Sequence, residues 1–93
     1  MLLANQTPIQ LANPIVQIRI AKKINATELA ILLGVPSSTI YKAEKGIVKK
    51  LQGKVVKGLQ ELIPGIDGEK LSEEYLSWKE ESRQQKIKEF QGK

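Results

Sequence analysis

The chain has 93 residues, a net charge of +5 and 41% hydrophobic side chains, and it contains neither cysteine nor histidine. That size allows one small domain with a modest core. The missing residue types remove disulfides, thiolate metal sites, thiol nucleophiles and the usual general base, so neither an enzyme nor a cofactor is expected.

The charge is unevenly placed. Between Pro14 and Gly65 there are nine Lys/Arg against three Glu, a balance of +6, whereas from Ile66 onward six Lys/Arg face seven Asp/Glu. The basic excess therefore lies in the middle of the chain, where a polyanion would dock. No stretch approaches the roughly 18 apolar residues that cross a bilayer. The opening residues have no positive n-region or long apolar run, so no secretory signal is expected. A cytoplasmic location follows as the expectation, with no membrane partner.

Residues 1–13 are weakly patterned, carry no charged side chain and are interrupted by Pro8. They are expected to form an arm, flexible or packed on a partner through Leu2, Leu3, Ile9 and Leu11. Without Lys or Arg, the arm has nothing to place in a minor groove. Asn13-Pro14 then marks a helix start, a capping side chain followed by proline where its missing N–H costs nothing. The first helix is expected over about 14–23, with Ile15, Ile18, Ala21 and Ile24 facing inward.

Asn25 can cap a second helix, and Glu28 three residues on can reach back to it. Leu29, Ala30, Leu32 and Leu33 supply the apolar face, and Gly34 ends the helix. Val35 and Pro36 form a break, Ser37 and Ser38 start a third helix, and Gly46 ends it. Within that helix Ile40 and Ala43 point one way, while Ser38, Tyr41, Lys42 and Lys45 share the other face. Two short helices around a tight break, the second with a polar face, are the layout of a DNA-reading helix-turn-helix.

These residues resemble the phage-repressor and Cro-like, or Xre-like, helix-turn-helix family. The resemblance rests on Glu28-Leu29-Ala30, Gly34-Val35, Thr39-Ile40 and Glu44-Lys45-Gly46, and extends without a gap from about Ile15 to Leu62. It implies an all-α, lambda-repressor-like domain of four to five helices over 14–65, followed by a C-terminal helical extension over 66–93. It implies that Arg19 pairs with Glu44, a two-pronged match of guanidinium to carboxylate. It also places Ser37, Ser38 and Lys42 against base edges, with Tyr41 sharing their face; Lys42 could donate to guanine O6 or N7. The N-terminus of the second helix offers backbone N–H groups to a phosphate, helped by Asn25 and Thr27. Lys45, Lys49, Lys50 and Gln52 are the further phosphate candidates, with Lys54 a possible addition. One departure stands out: Ala26 occupies a position where relatives often carry a phosphate-binding glutamine.

A fourth helix is expected over about 51–63, burying Leu51, Val55, Leu59 and Leu62. Its Gly53 and Gly58 either permit close packing or weaken the helix. Pro64-Gly65 stops it, and Ile66-Asp67-Gly68 forms a turn. A last helix should run from Leu71 or Ser72 to about Phe90, docking Leu71, Tyr75, Leu76 and Trp78. Its exposed remainder, within residues 71–90, is a candidate surface for a homodimer or a partner protein. The leading expectation is thus a sequence-specific double-stranded DNA-binding protein, a transcriptional regulator reading the major groove with residues 37–45. The alternative is a protein-interaction adaptor, such as an antitoxin or phage accessory factor, working through the last helix with DNA binding secondary. RNA binding is disfavoured by the scarcity of stacking aromatics.

Overall fold

The computed structural model describes residues 11–92, so the expectations for residues 1–10 lie outside the described residues. Its regular elements are all helical: α1 (Pro14–Ala21), α2 (Ala26–Leu33), α3 (Ser37–Lys45), α4 (Gly53–Leu62) and α5 (Gly68–Gln91). No helix among the described residues is long and apolar enough to cross a membrane.

Local chemistry sets the helix ends. The Asn13 side chain accepts from the backbone N–H of Ile15 and Val16, and Pro14 takes the first helical position. α1 stops at Ala21, two residues before the expected end, because Lys23 adopts a left-handed conformation at φ 59°. Ile24 N then donates back to Arg19 O at 3.1 Å, closing the helix end. At α2 the reciprocal cap between Asn25 and Glu28 is complete. Gly34 and Gly46, both with φ near +70°, end α2 and α3 in the left-handed geometry that glycine adopts without Cβ strain. Asp67 caps α5 by accepting from Lys70 N, so that helix begins at Gly68 rather than at 71 or 72. The segment read as a turn is its first step.

The core gathers Ile15 from α1, Leu29, Ala30 and Leu33 from α2, Ile40 and Ala43 from α3, Val55 and Leu59 from α4, and Leu71, Tyr75 and Trp78 from α5. α2 packs against α3 and α4, α1 against α3 and α5, and α4 against α5. Several inward assignments need correction. Ala21 is exposed, while the unassigned Val16 is buried; Leu32 and Leu76 are about half exposed. A helix packed on one side presents one stripe of side chains to the core, and 29/30/33 on α2 and 71/75/78 on α5 fill those stripes. Leu51 is buried, but from the loop before α4, which begins at Gly53. Gly53 is therefore the first helical residue and costs little. Gly58 marks a close approach, since a Cβ there would meet Leu33 Cδ2 at 2.9 Å.

Asn13 does more than cap α1. It is completely buried, and its Nδ2 donates to the carbonyls of Ala43 at 3.1 Å and Glu44 at 3.2 Å. Its oxygen meanwhile holds Ile15 N at 2.8 Å and Val16 N at 3.3 Å. All four hydrogen-bonding positions of the amide are filled, and the start of α1 is tied to the end of α3. Asn13→Ala removes the cap and takes a donor from both carbonyls, of which Ala43 O keeps only its bond from Gly46 N at 3.2 Å, so a loss of about 2–4 kcal/mol is expected in urea unfolding. Asn13→Asp keeps the cap acceptor but turns an oxygen toward those two carbonyls, and is expected to be destabilised as well.

Candidate nucleic-acid interface

The polar face of α3 is built by what the helix buries. Ile40 and Ala43 face the core, which turns Ser37, Ser38, Tyr41, Lys42 and Lys45 outward, all exposed. α3 starts without a side-chain cap, Pro36 being the N-cap residue. The N–H groups of its first turn therefore have no side-chain acceptor, and both serine hydroxyls stand beside them.

Two contacts hold this helix against its neighbours. Arg19 Nε and Nη2 donate to the two carboxylate oxygens of Glu44 at 2.8 and 3.0 Å, a two-pronged pair with both side chains mostly buried. The hydrogen bonds to Glu44 raise the Arg19 pKa against the opposing pull of desolvation. On the exposed side, Thr27 Oγ1 and the Tyr41 hydroxyl lie 3.3 Å apart, joining the first turn of α2 to the middle of α3. Tyr41 thus presents its ring outward with its hydroxyl already engaged on Thr27.

The other candidates divide. The Asn25 carboxamide oxygen is committed to Glu28 N at 2.8 Å, so it is an acceptor already in use. Its backbone N–H likewise donates to Glu28 Oε1. Lys45 and Lys49 line one groove with the C-terminal half of α5. Lys50 lines a different hollow, shared with Lys57, Glu69 and Glu73, a lining of mixed charge. Gln52 is the N-cap residue of α4 but makes no side-chain cap bond, which leaves its exposed amide available beside the start of that helix. Ala26 is buried at the start of α2 and offers no polar group.

Two positions that sequence reasoning did not assign also shape this surface. Asn13 anchors the end of α3 from behind. Tyr75, buried on α5, donates its hydroxyl to Val48 O at 3.2 Å and so holds the loop that carries Lys49 and Lys50. Asn13 was visible in the sequence only as a cap and Tyr75 only as a docking aromatic; neither long-range partner has a local signature. Among the described residues no group of three or more His, Cys, Asp or Glu is placed to hold a metal ion. No family model, curated protein or solved structure matches the chain.

Burial pushes the Tyr75 hydroxyl up from its ordinary value of 10 to about 12. The folded state then keeps a proton that the unfolded chain gives up. Stability should hold below pH 10 and fall as pH rises from 10 toward about 12. Tyr75→Phe is expected to flatten that alkaline limb in a series of thermal melts, while weakening the hold on Val48 at neutral pH. Arg19→Met should cost about 2–4 kcal/mol by leaving a mostly buried carboxylate unpaired. The double variant Arg19→Met with Glu44→Leu should lose less than the two singles summed, which a double-mutant cycle in urea reads directly.

Proposed function

We propose that the chain is a lambda-repressor-like helix-turn-helix protein that binds double-stranded DNA and regulates transcription, with α3 entering the major groove. The observation that carries this reading is the division of α3. One side is fixed from behind by Asn13, Arg19 and the core; the other presents Ser37, Ser38 and Lys42, exposed among the described residues. A helix held rigidly and offering short hydroxyls and an amine from its first turns suits base edges, which are read by groups whose positions are set in advance.

The surroundings suit phosphates. Thr27 and the first turn of α2 lie on one side of α3, through the Thr27–Tyr41 contact, and Lys45, Lys49 and Gln52 follow it. Lys50 contributes less, given the mixed charge of the hollow it lines. Specificity per half-site is modest in this reading. A good bidentate contact is worth about 1–3 kcal/mol of discrimination, and among the base candidates only Lys42 resembles one. A second domain bound to the same duplex would supply the rest.

Selection of bound duplexes from a random pool, followed by mobility shifts across a salt series, tests the proposal. With roughly two or three phosphates neutralised by Lys45, Lys49 and Lys50, the log–log slope of affinity against salt is expected at about −2 to −3 per subunit. Lys42→Glu should weaken the selected duplex by at least about tenfold, with circular dichroism unchanged because Lys42 is exposed. No duplex enriched, affinity indifferent to salt, or a Lys42→Glu protein that binds as tightly as the parent would overturn it.

A further inference from the structure

Between the end of α3, the loop behind it and the last turns of α5 runs an open groove. Leu76, Ile87 and Phe90 line it from α5; Leu76 is 47% exposed and Phe90 78%. Positions 76, 87 and 90 are spaced by about three and four helical turns, so they share one face about 21 Å long. The core row of α5 lies elsewhere, on Leu71, Tyr75 and Trp78, and these three apolar side chains have no core role.

The lining is also strongly cationic. Lys45 and Lys49 come from the α3 side, and Lys79, Arg83 and Lys86 from α5. Glu80 is the carboxylate among the lining residues, and it already accepts from Gln84 at 2.8 Å and Arg83 at 3.4 Å. Along α5 the apolar row runs beside Lys79 and Lys86 and includes Arg83, while Lys45 and Lys49 line the same groove from the α3 side. Apolar surface edged by positive charge defines what fits. A second copy of the chain would bring two such cationic edges together, and like charges juxtaposed across an interface cost several kcal/mol. Duplex DNA would meet the lysines but leave Leu76, Ile87 and Phe90 uncovered, forgoing the hydrophobic gain of burying them. An amphipathic helix with leucine or phenylalanine on one face and carboxylates flanking it satisfies both features.

We propose that this groove receives an acidic amphipathic helix of about four turns from a partner protein. Lys45 and Lys49 belong both to this groove and to the phosphate-facing surface, so partner and duplex compete for them; the competition, unlike the docking, rests on the DNA-binding reading. Binding of the partner helix would then release DNA.

The test begins with a random library of helical peptides of about 15 residues, selected on the full chain in the absence of DNA. Enriched peptides should be net negative, with large apolar residues at i, i+3/i+4 and i+7 spacing. They should lose affinity at least about tenfold on Phe90→Ser and on Arg83→Glu, and weaken as salt rises. Both substitutions are at exposed positions, so unchanged circular dichroism separates loss of docking from loss of fold. No enrichment, neutral or basic winners, or winners that bind Phe90→Ser equally would overturn the docking. Sedimentation showing dimers of the chain that dissociate on Phe90→Ser would overturn it too, assigning the groove to a second copy. With a selected duplex bound, excess peptide should displace it. Peptide and duplex held together overturn the competition and leave the docking standing, whereas groove binding by a chain that takes no duplex sinks the DNA reading alone.

Discussion

A single buried amide organises the relation between the first helix and the third. Asn13 spends its oxygen on the start of α1 and its amino group on the last carbonyls of α3. A buried polar group must be satisfied or it costs stability, so this side chain specifies one arrangement of the two helices rather than a range. Two turns further along α1, the Arg19–Glu44 pair repeats the connection through charge. α3 is therefore set by polar contacts at its end as well as by Ile40 and Ala43 in the core. This doubled attachment gives its outer side chains a fixed bearing.

α5 supports the same region from another direction. A Cβ on Gly46 would meet the Trp78 ring at 3.1 Å, so the residue that ends α3 is also the floor on which the indole rests. One turn earlier Tyr75 packs beside Trp78, ring centroids 5.7 Å apart, and reaches the carbonyl of Val48. The first part of the loop between α3 and α4 is thus held by α5 without regular structure of its own. Beyond Ser82 the helix leaves the core, and Phe90 stands largely in solvent near its end.

Charge follows this division of the molecule. The acidic residues near the start of α5, Glu69 and Glu73, lie by Lys50, whereas Lys79, Arg83 and Lys86 lie with Lys45 and Lys49. The C-terminal segment sums to almost no charge, yet most cations of its second half share one groove with Lys45 and Lys49. A count along the chain hides this, because a helix distributes neighbouring residues to opposite faces.

The helical class, the Asn13-Pro14 and Asn25–Glu28 starts, the glycine ends at 34 and 46, and the outward set on α3 were legible in the sequence. Each depends on residues within a turn or two of one another, and local spacing is what a sequence displays. The shortened end of α1 and the start of α5 after Asp67 were not, since several local caps competed; nor was the exposure of Ala21, Leu32 and Leu76, which depends on which stripe of each helix its neighbours cover. Asn13 on Ala43 and Glu44, Tyr75 on Val48, and the sharing of one groove by Lys45 and Arg83 bring together residues 27 or more positions apart. Only packing in three dimensions decides such contacts, because nothing in either partner's immediate neighbours encodes the other.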